Sequence, residues 1–169
     1  MVIRMVGAAL TLLSGVLYAA NITKEHRAKE RDLEEFMLIL EHFSWELQTN
    51  LSPLAVCCLA AARCGRGKIG ALFADLAERL EYGAEASAAE CMAQVRHNYN
   101  ISFSIAARLD QLGDTLGRYD LSGQIAGIKA IGELCRRDLR ALAAERTKTV
   151  KTCQTLGLCT GAAVAILLF

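Results

Sequence analysis

Three stretches of this chain carry residue types that do chemistry in other settings. Gly65-Arg-Gly-Lys-Ile-Gly70 fits the spacing G-x-G-x-x-G, in which backbone N–H groups cradle a dinucleotide or phosphate. That use needs a strand before the loop and a βαβ unit around it, and here both flanks have helical patterning. No Ser or Thr follows Lys68, so the stretch also departs from a phosphate loop. It is read as a helix end followed by a turn. His42 and Glu46 stand one helical turn apart, a spacing that suits a proton-transfer pair or half a metal site. His26 and His97 lie far away in sequence, so a solvated or half-buried helix face is expected, with Trp45 as a core or rim aromatic. The seven cysteines are Cys57, Cys58, Cys64, Cys91, Cys135, Cys153 and Cys159. Their odd number and irregular spacing do not make a disulfide framework, and Cys57 and Cys58 cannot share a helix face to bind zinc. They are expected to pack as small hydrophobes in a reducing compartment. No nucleophile elbow or H-E-x-x-H motif occurs. No enzymatic activity, metal or cofactor is expected.

The elements around these residues read as helices throughout. Leu33, Met37, Leu40, Phe43, Leu47 and Leu51 recur at three-four spacing, a single helical stripe. Ser52-Pro53 reads as a stop and a restart, with Ser52 as cap and proline at the first helical position. A short helix to about Cys64 follows, then one striped by Ile69, Leu72, Phe73, Leu76 and Leu80 that ends near Gly83. Ser87-Ala-Ala-Glu90 is a capping box, opening a helix with Cys91, Met92, Val95 and Tyr99 inward. Asn100 or Ser102 caps the next, with Ile105, Leu109, Leu112 and Leu116 inside. A long return helix carries Leu121, Ile125, Ile128, Gly132, Cys135, Leu139 and Leu142 along one seam.

The 169 residues are 53% apolar with a formal net charge of +1, a balance that offers no basic nucleic-acid patch. The apolar residues concentrate at the ends. Residues 5–23 and 152–169 form uncharged runs of nineteen and eighteen residues, close to the ~20 that span a bilayer. The sequence therefore predicts an N-terminal transmembrane helix in 1–23, a cytoplasmic helical bundle in 24–151 and a C-terminal transmembrane helix in 152–169. Small residues before a signal-peptidase site are missing around Ala19 and Ala20, which favours an uncleaved anchor. Lys24, Arg27, Lys29 and Arg31 follow the first run, Arg136, Arg137, Arg140, Arg146, Lys148 and Lys151 precede the second, and only Arg4 lies beyond. The positive-inside rule puts the middle in the cytoplasm. Residues 32–135 hold 14 acids and eight bases, so the bases gather beside the expected membrane surface. Gly7 and Gly15, with Thr11 and Ala19, recur every fourth residue, as do Gly157, Gly161 and Ala165. Such stripes suit membrane helix packing, either between the two spans or between chains of a homo-oligomer. Cys153 lies where acylation is open to it.

Leu112-Gly-Asp-Thr-Leu-Gly-Arg-Tyr-Asp-Leu-Ser-Gly-Gln124 joins the last two helices. Gly117 suits a left-handed helix end and Asp120 the cap of the return helix. A tight αα-hairpin follows, with Gly113, Asp114 and Gln124 not explained by it. With these residues the chain resembles the stage III sporulation protein AB family. The resemblance covers nearly the whole chain: the first span, Ser52-Pro53-Leu54, the signature Leu112-Gly113-x-Thr115-Leu116-Gly117-x-x-Asp120-x-x-x-Gln124, and Leu156-Gly157-x-x-x-Gly161. It implies an all-α antiparallel bundle of about six helices, similar to the type II secretion F domain and flanked by two transmembrane helices. It further implies a non-enzymatic membrane platform of the mother cell–forespore channel. A stage III sporulation protein AA-type ATPase and other channel membrane proteins are the implied partners, with no nucleic acid. The place implied is the mother-cell membrane facing the forespore, and the signature residues become candidates for partner docking. The chain departs from a full secretion F protein, which carries two cytoplasmic repeats, by having one. The alternative is a two-span signalling or scaffold protein with a helical cytoplasmic stalk, and behind it a membrane-attached enzyme using His42, Glu46 or the cysteines.

Overall fold

A computed structural model of the chain describes the backbone of residues 2–82 and 87–168, with side chains for 23–82, 87–149, 151, 152, 155 and 159. Among the described residues all regular structure is helical: α1 (Val2–Thr49), α2 (Leu54–Ala62), α3 (Lys68–Tyr82), α4 (Ala88–Arg96), α5 (Phe103–Thr115) and α6 (Leu121–Leu168). The absence of a breaker after the first apolar run is reflected in α1, a helix of 48 residues, and α6 has the same length. The chain divides into two compact units, one of residues 31–139 and one of 1–30 with 140–169.

The unit of residues 31–139 is the helical bundle. Contacts fix the direction of each neighbour. Tyr99 Oη donates to Asp75 Oδ2 at 2.6 Å and Arg79 Nη1 donates to Gln94 Oε1 at 2.9 Å, so α3 and α4 run antiparallel. Arg96 pairs with Asp110 near one end of the α4–α5 pair, while Gly113 packs on Ala89 and Met92 near the other. Arg108 reaches Asp138 at 3.2 Å and Thr115 lies on Gly127, so α5 and α6 are antiparallel as well. The core holds the fully buried Leu33, Phe36, Ile39, Phe43, Phe73, Met92, Ile105 and Leu109, with the rings of Phe36 and Phe73 6.2 Å apart. In the other unit, Arg146 Nη1 contacts Glu30 Oε2 at 3.3 Å, linking its two helical segments.

The local signals resolve as follows. The Ser87–Glu90 capping box forms with both bonds, at 3.2 and 2.9 Å. Ser52 does not cap α2. Pro53 occupies the N-cap position itself with ψ 149°, and the Ser52 hydroxyl turns back to Glu46 Oε1 at 3.4 Å. Ser102 is the N-cap of α5, but its hydroxyl faces Ser104 rather than a backbone N–H. Leu51 falls outside the inward stripe: α1 stops at Thr49 and Leu51 turns left-handed, φ 46°, leaving it exposed. Leu121 is also exposed, because it stands at the first turn of α6 where no helix covers it; Ile128, Ile131 and Cys135 carry the buried seam. Among the described residues no helix is long and apolar enough to cross a membrane. The expected spans fall largely outside the residues whose side chains are described, as do Gly7, Gly15, Gly157, Gly161 and Cys153.

Candidate functional site: the hairpin, the glycine loop and the α1–α6 groove

The signature hairpin closes the end of the bundle opposite to residues 31 and 139. Leu112, Gly113 and Leu116 are buried. A Cβ on Gly113 would sit 3.0 Å from Ala89 Cα and 3.3 Å from Met92 Cβ, so the missing side chain lets α4 and α5 approach. Thr115 donates its hydroxyl to Gln111 O at 2.7 Å and rests its methyl on Gly127, where a Cβ would collide with it. Gly117 takes φ +76°, the left-handed conformation that penalises any Cβ. Asp120 Oδ1 accepts from Gly123 N–H at 3.0 Å and Oδ2 from the Ser122 hydroxyl at 2.6 Å. These bonds, the Ser122 hydroxyl foremost, hold its carboxyl below the usual aspartate value. Gln124 Nε2 donates to Tyr119 O at 2.8 Å, tying the turn to α6. Gly113 and Gln124, which local turn chemistry left unexplained, are thus long-range packing and turn closure. Asp114 is exposed, and nothing in the structure explains it.

At the other end of the bundle the glycine loop holds an anion of the chain's own. Glu35 Oε1 accepts from Gly67 N–H at 2.7 Å and from Gly70 N–H at 3.1 Å. The free N–H groups that open a helix favour negative charge, and α3 receives it from α1. Lys68 Nζ adds an ion pair to Asp32 at 2.7 Å and donates to Asn100 O at 2.7 Å. The spacing that resembled a nucleotide loop therefore locks three segments together. Sequence reasoning missed Glu35, whose partners lie 32 and 35 positions away.

His42 is exposed and Glu46 accepts from Asn50 Nδ2 at 2.8 Å, so the structure does not bring them into a site. Cys57, Cys58, Cys91 and Cys135 are buried. Burial raises the thiols of Cys57 and Cys58, and that of Cys135 to about 11, which suits packing rather than nucleophilic use. Among the described residues no cluster of ligating side chains could hold a metal ion. A groove of about 410 Å³ lies between α1 and α6. Met37, Leu40 and Ile128 supply its apolar wall, Trp45 and Lys129 its rim. Arg136 bridges Glu133 at 2.6 Å and Glu41 at 3.4 Å across one end of it.

Among the described residues this arrangement defines an all-helical bundle. The stage III sporulation protein AB family model matches residues 4–169, and the chain belongs to that family. Its role is accordingly in sporulation. A solved structure of stage III sporulation protein AB (SpoIIIAB) is similar in fold, with a TM-score of 0.55 at 20% identity, covering 75% of this chain and 97% of that one. The comparison with curated proteins gives no match.

Proposed function

We propose that this chain is a two-span, non-enzymatic membrane platform of the mother cell–forespore channel, with residues 24–151 in the mother-cell cytoplasm and a stage III sporulation protein AA-type ATPase as partner. Family membership over residues 4–169 supports the sporulation role. The uncharged runs at 5–23 and 152–169 and the flanking lysines and arginines support the two spans and their orientation. The observation that carries the coupling role is the hairpin. It stands at the end of the bundle away from residues 31 and 139, built rigidly from inside, and it leaves Arg118 and Tyr119 exposed. A rigid turn with a free aromatic and a free arginine has the makings of an interface anchor.

The test is binding of the purified full chain, in detergent, to the purified ATPase. Wild-type chain should bind, and Tyr119→Ala with Arg118→Glu should weaken binding about 10-fold or more while leaving the melting curve in place. No binding by a folded wild-type chain, in detergent or in vesicles, would remove the ATPase from the proposal. Reporter fusions at each terminus test the topology: both should report the outside, and a cytoplasmic signal from either would overturn it.

A further inference from the structure

Glycines inside helices have to be accounted for one at a time, since each weakens its helix relative to alanine. Gly113 and Gly127 stand where a neighbouring helix comes too close for a Cβ, and Gly123 lies against Tyr119 and the Asp120 cap. Gly132 differs. It sits within α6, and a Cβ there would meet nothing within 4 Å. Folding of this chain gains no contact from the missing side chain. The space over Gly132 is instead part of the α1–α6 groove, and Trp45, 57% exposed, stands at its rim. A large amphipathic ring left in solvent beside an open apolar groove is a knob beside a hole.

A two-fold interface uses the same patch on both subunits, so a single chain that carries both knob and hole is equipped to pair with itself. We infer that a second copy of this chain docks here, with Trp45 of each copy laid over Gly132 of the other. Trp45 and Gly132 line the same groove, and two copies standing side by side bring each ring to the height of its mate's glycine. The side-by-side orientation rests on the proposal that both copies are anchored in one membrane. Charge supports the same mate. Glu41 and Arg136 already pair with each other within the chain, but α1 also carries Glu46, bonded among the described residues only to the neutral Asn50 and Ser52, and α6 also offers Lys129 and Arg137. Lys129 is exposed and pairs with no acid among the described residues, and in the pair it meets the acidic edge of the other copy's α1. Leu38, 44% exposed and seven residues before Trp45, extends the apolar strip along the same helix face.

Trp45 is the sole tryptophan of the chain, so its fluorescence reports this site alone. The purified full chain in detergent should double in mass with concentration by sedimentation, and its emission should move to the blue in step. Gly132→Leu fills the groove with a side chain for which the single chain has room, and Trp45→Ala removes the knob. Each should raise the dimer dissociation constant about 30-fold or more, as truncation of an interface anchor does, with melting curves showing both variants folded. A chain that stays monomeric with solvent-exposed emission at all concentrations overturns the inference. So does a dimer indifferent to both substitutions. An emission shift that appears only on adding the ATPase, at the mass of one copy, would make the ATPase the occupant and overturn it too. A monomer that binds the ATPase leaves the platform proposal standing; a dimer that does not bind it removes the ATPase and leaves the pairing.

Discussion

Glu35→Ala removes the one carboxylate oxygen that accepts from both Gly67 N–H and Gly70 N–H. A hydrogen bond to a charged group contributes about 1.5–3 kcal/mol. Gly67 is exposed and its N–H recovers water, while Gly70 is buried and recovers little. The loss is therefore about 2 kcal/mol, near one strong bond rather than two. At about 4 °C per kcal/mol for a bundle of this size, the melting midpoint should fall by about 8 °C. Glu35→Gln separates geometry from charge. Since Oε1 takes both bonds, an amide oxygen can take them too, and only the attraction to the start of α3 is lost, about 0.3–1 kcal/mol. Thermal melts followed by circular dichroism give the comparison. The alanine variant also bares the Gly67 and Gly70 amides at a helix N-terminus, which suits sulfate. Sulfate should then stabilise the alanine variant more than it stabilises wild type. A wild-type midpoint for Glu35→Ala, or a glutamine variant as damaged as the alanine one, would refute the reasoning.

Other consequences follow from single contacts. Gly113→Ala places a Cβ 3.0 Å from Ala89 Cα, forcing α4 from α5 at a cost of about 1–3 kcal/mol by chemical denaturation. A Cβ on Gly117 would meet nothing within 4 Å, so the cost of Gly117→Val lies in the left-handed backbone, about 1–2 kcal/mol, and Gly117→Asn should lose less. Burial, and then the bond to Asp75, pushes the Tyr99 hydroxyl up to about 12. The neutral form is favoured in the fold, so this contribution is complete below the usual tyrosine value of about 10 and is lost as pH rises through the folded value. Tyr99→Phe should lack that alkaline step in a stability-against-pH curve. Among Cys57, Cys58, Cys64, Cys91 and Cys135, native labelling by a thiol reagent should mark Cys64, the half-buried one, and reach the others only in denaturant.

What was legible in the sequence was local. The Ser87–Glu90 box, the left-handed Gly117 and the Asp120 cap each rest on bonds within three residues or on one φ angle. The apolar stripes of α3, α4 and α5 place their buried residues because each helix presents one face to the core. The stripe on α1 was too narrow. Phe36 and Ile39 are fully buried beside Leu33, Leu40 and Phe43, since α1 is packed from more than one side. Glu35 gave no signal at all, because an acid on a long helix looks solvated until its distant loop is in place. The groove was equally invisible: nothing in the sequence brings Trp45 and Gly132 together before the α1–α6 pairing is known.

The signature can be divided by what the fold consumes. Leu112 and Leu116 fill the core, Gly113 admits α4, Thr115 lies on Gly127, Gly117 supplies the turn, Asp120 caps α6 and Gln124 binds back to Tyr119 O. Each residue that makes the signature recognisable has an internal task, so substituting any of them perturbs the hairpin before it perturbs a partner. Among the six unspecified positions, Arg118 and Tyr119 stand side by side at the turn and leave an exposed arginine and an exposed aromatic for an interface. Loss of partner binding in Asp120→Ala would thus accompany a loss of stability, the usual effect of removing a cap. Loss of binding in Tyr119→Ala should come without it. If Tyr119→Ala and Arg118→Glu left binding intact while only destabilised variants lost it, the hairpin would be scaffold alone, and the docking surface would have to lie elsewhere on the bundle.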